Sequence, residues 1–169
     1  MFKRRSWKYG IASLVMFAIA AVGFVGSKTG SARAGALPPD IHFEAYEPQK
    51  AVYHVTTGGG WFGREHTHLL TVLRNHMNAV GPGFLDVQVV MQGDGVDLML
   101  AARNNPRLAE AIDRLLADGA RFVICYNTLV QRHIEPYTQM YRVKREQIVG
   151  AGVAEVTQLV SQGYVYLRI

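Results

Sequence analysis

Cysteine is almost missing from this chain. Among 169 residues there is one, Cys125, so no intramolecular disulfide can form. It also rules out a C-x-x-C redox pair within the chain. Several catalytic signatures are absent too. There is no G-x-S-x-G nucleophile elbow and no HEXXH zinc-binding pattern. The glycine run Gly58-Gly59-Gly60 has no G-K-[ST] continuation, so it is not a phosphate-binding P-loop. No internal repeat and no low-complexity stretch occurs.

Positive charge is also scarce once its location is considered. The chain has 18 Lys and Arg against 13 Asp and Glu. Six of the cations (Lys3, Arg4, Arg5, Lys8, Lys28 and Arg33) precede Gly35, and none of the acids do. Residues 35–169 therefore carry twelve cations and thirteen anions, net −1. Nucleic-acid binding starts from clustered cations, and this remainder has no such footprint.

The early cations belong to an export pattern. Lys3, Arg4, Arg5 and Lys8 precede an apolar run from Ile11 to Val25, followed by small residues and the A-x-A sequence Ala32-Arg33-Ala34. That order is a cleavable signal peptide over residues 1–34, with cleavage before Gly35. The apolar run is short for a membrane span, which needs about 20 residues; an uncleaved membrane anchor is the alternative. Arg4-Arg5-Ser6-Trp7-Lys8 is similar to a twin-arginine signal. The expected location is the periplasm, with no stable membrane span after cleavage.

The rest suits one domain with a single core. Residues 35–50, with Pro38, Pro39 and Pro48, read as a linker or arm. Strands are expected at Ala51–Thr56, Leu85–Met91, Arg121–Tyr126, Gln147–Val149 and Tyr164–Arg168. Helical spacing links Leu69, Leu73, Met77 and Val80, and again Leu108, Ile112, Leu115 and Leu116. The second of these helices has Asn105 as cap, Pro106 at its first position and Gly119 beyond its end. A short helix starts near Val96, another covers Thr128–His133, the stretch Glu135–Arg145 has no clear pattern, and a last helix carries Val153, Val156, Leu159 and Val160. Strands alternating with helices predict an α/β domain with a largely parallel sheet covered on both faces.

Open parallel sheets bind ligands at the C-terminal ends of their strands. The loop 57–65, the loop 93–95 and the residues after Cys125 would meet there, contributing Trp61, Asp94, Cys125 and Asn127. Cys125 stands just before a helix, with Asn127 as the expected cap. A helix N-terminus stabilises a thiolate, the reactive form of cysteine. The alternative is a plain core residue, since free cysteine is commonly buried. Trp61 and Phe62 could roof a pocket or pack on another subunit. Glu65, His66, His68 and His76 invite a metal reading, but i and i+2 on a helix do not share a face. The expectation is a solvated helix start and no metal.

Three segments carry a family likeness: Gln92-Gly-Asp-Gly-Val-Asp-Leu98, Arg121-Phe-Val-Ile-Cys-Tyr-Asn-Thr-Leu129, and Gly152-Val-Ala-Glu-Val-Thr-Gln-Leu-Val-Ser-Gln-Gly-Tyr-Val-Tyr-Leu167. In order and spacing they resemble the DsrE/DsrF-like family over about residues 51–169, here as an exported member. The resemblance implies a three-layer α/β/α sandwich, a homo-oligomer such as a trimer or hexamer, and a link to sulfur metabolism. It places a sulfur-accepting cysteine at Cys125, with Asn127 and Thr128 after it and Gly93, Asp94 and Gly95 as the glycine-rich turn. The leading expectation is a periplasmic carrier of sulfane sulfur, held as a persulfide on Cys125 and passed to a thiol-bearing acceptor protein, with no cofactor. The chief alternative is a non-catalytic oligomeric small-ligand-binding module in which Cys125 is core. A redox enzyme sharing a disulfide with a partner is a third.

Overall fold

A computed structural model describes residues 44–169. The expected signal peptide and most of the proline-containing arm lie outside the described residues. Five strands and six helices alternate: β1 (Gln49–Val55), α1 (Arg64–Val80), β2 (Leu85–Met91), α2 (Asp97–Asn104), α3 (Pro106–Ala117), β3 (Arg121–Cys125), α4 (Tyr126–Gln131), α5 (Pro136–Gln139), β4 (Ile148–Val149), α6 (Gly152–Ser161) and β5 (Val165–Arg168). Short 3-10 turns lie at Trp61–Gly63, Gly93–Val96 and Arg145–Gln147. No helix among the described residues is long and apolar enough to cross a membrane.

All strands are parallel, in the order β4-β3-β2-β1-β5. The chain steps one strand at a time from β1 to β4. It then returns across the whole sheet to β5. Right-handed crossovers put connections running in opposite directions on opposite faces. Accordingly α1, α2 and α3 cover one face and α6 the other, giving the expected three layers.

The two faces bury different amounts. Ala51, Tyr53, Val55, Val87, Val89, Met91, Phe122 and Ile124 turn towards α1–α3 in the larger core. The opposite side chains Val52, Val90 and Val123 meet Val156, Leu159 and Tyr164 beneath α6. Burial on both sides explains why the strands read as apolar runs rather than alternating ones. Each fully enclosed large residue, such as Leu73 or Phe122, contributes about 1.5–3 kcal/mol of burial.

Local signals set the element ends. The Asn105 side chain accepts from the N–H groups of Arg107 and Leu108, and Pro106 opens α3. Gly119 follows that helix at φ 98°, a conformation that disfavours a side chain. Several boundaries differ from expectation: Thr56, Gln147 and Tyr164 fall outside β1, β4 and β5, and α4 covers Tyr126–Gln131 rather than Thr128–His133. β1 starts at Gln49, two residues inside the expected arm, because Gln49 N–H bonds to the Phe84 carbonyl at 2.8 Å and its side chain accepts from His76 Nε2 at 2.8 Å. β3 ends at Cys125 rather than Tyr126, which already starts α4. The unpatterned stretch after Ile134 holds the short α5 and a 3-10 turn.

Candidate functional site

Cys125 is the last residue of β3 and the N-cap of α4. Strand alternation puts its side chain on the α6 side, two residues after Val123. The β4-to-α6 turn brings Gly152, the first residue of α6, onto the same sulfur. Two chain turns thus deliver donors to one atom. The backbone N–H groups of Gly152, Thr128 and Asn127 and the Thr128 hydroxyl surround Sγ as donor groups that favour its thiolate form. The Asn127 N–H is shared with the Gly150 carbonyl at 3.2 Å.

Burial by itself pushes the Cys125 thiol up, since it disfavours the charged form. The four donors outweigh it and hold the thiol below its ordinary range. Cys125 is only 5% exposed. It is a recessed sulfur set among hydrogen-bond donors rather than among hydrocarbon alone.

Thr128 connects this sulfur to the turn after β2. Thr128 is buried; its hydroxyl accepts from the Gly93 N–H at 2.9 Å and favours the Cys125 thiolate. The Gly93 carbonyl in turn accepts from Arg132 at 2.9 Å. Arg132 pairs with Asp97 at 2.8 Å and lies 3.7 Å from Asp94. The turn itself is closed by the Gly95 N–H bonding to the Gln92 carbonyl at 3.0 Å. Close packing demands glycine at two of these positions. A Cβ on Gly95 would lie 2.1 Å from the Val55 carbonyl oxygen. A Cβ on Gly152 would lie 2.7 Å from Gln92 Oε1 and 3.3 Å from the Cys125 Cβ. Gly152 therefore lets the first N–H of α6 reach the sulfur.

Of the residues singled out in the sequence, Cys125, Thr128, Asn127 and Gly93 form one hydrogen-bonded unit, and Gly95 supports it. Asp94 faces Arg132 and makes no hydrogen bond to Cys125. Asn127 is not the cap of α4; Cys125 occupies that place, so Asn127 sits within the first turn and its backbone supplies the contact. Trp61 and Phe62 do not roof the sulfur: they are 82% and 92% exposed and stack on each other with ring centroids 6.3 Å apart. The start of α1 is not wholly solvated either. His66 is buried at 5% exposure, whereas Glu65 and His68 are exposed. Among the described residues no three His, Cys, Asp or Glu side chains converge to hold a metal ion.

Gln92 and Gly152 open two of the family-like segments but were not singled out as site residues, and Arg132 was not singled out at all. The glycine pair Gly150 and Gly152, just before the last helix, was the available signal for a close backbone approach. Beside α4 lies an open groove of about 830 Å³, with Tyr126, Val130, His133, Tyr137 and Arg145 in its walls. It begins one residue past Cys125.

A search of curated protein sequences gives no match. Among solved structures, a protein of unknown function, MTH1491 from Methanobacterium thermoautotrophicum, is similar in fold, with a TM-score of 0.59 at 22% identity over 72% of this chain and 99% of that one. The DsrE/DsrF-like family matches residues 50–169, from the second residue of β1 through β5. With the match running through the turn after β2, the Cys125 turn and the start of α6, the chain belongs to the DsrE/DsrF-like family.

Proposed function

We propose that this protein carries sulfane sulfur on Cys125 in the periplasm. The observation behind this reading is the set of four donors that meets Sγ, three from backbone and one from Thr128. A buried thiol of purely structural use needs no such set, because a neutral S–H is a weak acceptor. Anionic sulfur does need one, and charge-assisted bonds are the strong ones.

The step balances with a polysulfide as donor. The Cys125 thiolate attacks a terminal sulfur of the polysulfide, forming one S–S bond as the adjacent S–S bond breaks. The products are a Cys125 persulfide anion and a polysulfide one sulfur shorter, which leaves with the electron pair of the broken bond. An acceptor thiolate then attacks the outer sulfur of the persulfide, and Cys125 departs as thiolate. The recess around Cys125 suits a small donor and shields the persulfide from further oxidation.

Family membership supports a sulfur substrate and a homo-oligomer, trimeric or hexameric. The N-terminal sequence supports export. Labelling with a persulfide-selective reagent after polysulfide treatment, followed by peptide mapping, tests the carrier role. The expected label is on the Cys125 peptide alone, transferable to added glutathione. Labelling that survives Cys125→Ser would refute it. Cell fractionation tests the location, and light scattering after gel filtration tests the assembly. A strictly cytoplasmic or monomeric protein would contradict those two parts.

A further inference from the structure

A second feature lies away from the sulfur, at the C-terminal end of β1. Both ring nitrogens of His66 are shielded from solvent and have no hydrogen-bond partner among the described residues. A neutral imidazole has one donor and one acceptor, and leaving both unmade inside a protein is unfavourable. The cover over this ring is backbone. A Cβ on Gly59 would lie 2.6 Å from His66 Cε1, so the peptide at Gly59 rests on the imidazole. The next residue, Gly60, packs still more closely on the Glu65 carboxylate, and a Cβ on Gly58 would lie 2.9 Å from Asp97 Oδ2. Three consecutive glycines thus lie along three polar side chains, and none of the three contributes a side chain of its own.

This cover is lightly held. Among the described residues, and apart from the 3-10 turn that Gly60 caps, the main-chain hydrogen bond at Thr57–Gly60 runs from the Glu65 N–H to the Gly59 carbonyl at a long 3.3 Å, and the Thr67 hydroxyl donates to the Gly63 carbonyl, also at 3.3 Å. Its far end is the exposed Trp61–Phe62 pair. Gly60, Phe62 and Gly63 all have φ between 56° and 70°, and for Phe62 that conformation is strained. Beneath the strap is a small cavity of about 60 Å³ walled by Thr57, Gly58, Glu65, His66, Leu69 and Ile169. It lies where β1 and β5 are neighbours.

We propose that Thr57–Gly63 is a lid, closed on His66 in this structure, which opens without unfolding the domain and presents the imidazole to small molecules entering the small cavity beside it. This does not depend on the role of Cys125, which lies on the other face of the sheet. Opening lets water reach both ring nitrogens and relieves the strain at Phe62, so the open form is a minor but populated state.

Carbethoxylation by diethyl pyrocarbonate, mapped residue by residue by mass spectrometry, tests this on the full chain. A minor state is populated at about 0.1–10%. His66 should therefore react between about ten-fold and a thousand-fold more slowly than the exposed His68. Its rate should be insensitive to low urea, whereas amide exchange at Leu73, in the middle of α1, should rise steeply with urea. In Gly59→Ala, where the added methyl group forces the strap off the ring, His66 should approach the rate of His68. The lid is ruled out if His66 reacts only in step with global unfolding, with the same urea dependence as the Leu73 amide. It is also ruled out if His66 in the parent chain reacts as fast as His68, since the strap would then be open at rest. The urea comparison needs only the parent chain and so stands even if Gly59→Ala fails to fold.

Discussion

Replacing Thr128 with valine removes one hydroxyl and keeps the side-chain shape, so it isolates the polar contribution at the sulfur. In the parent the hydroxyl accepts from the Gly93 N–H at 2.9 Å and lowers the Cys125 pKa as a hydrogen-bond donor. A hydrogen bond to a charged group is worth about 1.5–3 kcal/mol, and one pKa unit corresponds to about 1.36 kcal/mol. The Cys125 pKa should therefore rise by about one to two units in Thr128→Val. The stranded Gly93 N–H should separately cost about 1–3 kcal/mol of stability. The assay is the rate of iodoacetamide alkylation against pH, with urea unfolding in parallel. Thr128→Ser keeps the hydroxyl and should hold its pKa close to the parent value. An unchanged pKa in Thr128→Val, or equal shifts in the serine and valine variants, would refute the argument that this hydroxyl stabilises the thiolate.

Gly95→Ala should destabilise by about 1–3 kcal/mol or more, because the new methyl group meets the Val55 carbonyl at 2.1 Å; the urea midpoint reads this, and an unchanged midpoint would show that the turn can shift freely. Leu73→Ala should cost about 2–5 kcal/mol, since Leu73 is fully enclosed between α1 and the sheet; a loss below about 1 kcal/mol would mean that the core collapses around the gap. Stability should also fall on acidification. Burial holds the pKa values of His66 and His76 below the ordinary 6.5, so the unfolded chain takes up these protons at a higher pH than the fold does. Their contribution is complete above the unfolded pKa and is lost as the pH falls through the lower folded values. Urea midpoints between pH 7 and pH 5 should drop, and the drop should shrink in His66→Gln; a slope identical to the parent would show that His66 takes no part.

How much of this was legible in the sequence depends on how local the cause is. The α3 cap was readable because Asn105 bonds within its own first turn, and Pro106 and Gly119 mark the ends. The central strands were readable because burial on both faces leaves continuous apolar runs such as Val87–Met91. Gln49 and Lys50 escaped because a polar strand start resembles a loop until its partners, Phe84 and His76, are known. At the site, Cys125 and Thr128 are three residues apart and share one turn, so their association could be read directly. Gly152 comes from another strand end and reaches the sulfur only through the sheet order, and Gln92 packs on Gly152 from the end of β2. His66 looked solvated because its neighbours Glu65 and His68 are exposed. Its burial comes from the backbone of Gly59, which carries no side-chain signal.

The central claim is that Cys125 is a sulfur acceptor. Intact mass spectrometry of the purified protein before and after exposure to polysulfide, in parent and Cys125→Ser, addresses it most directly. The account predicts a gain of whole sulfur atoms in the parent alone, reversed by reductant. No gain in either protein, or an equal gain in both, would contradict it.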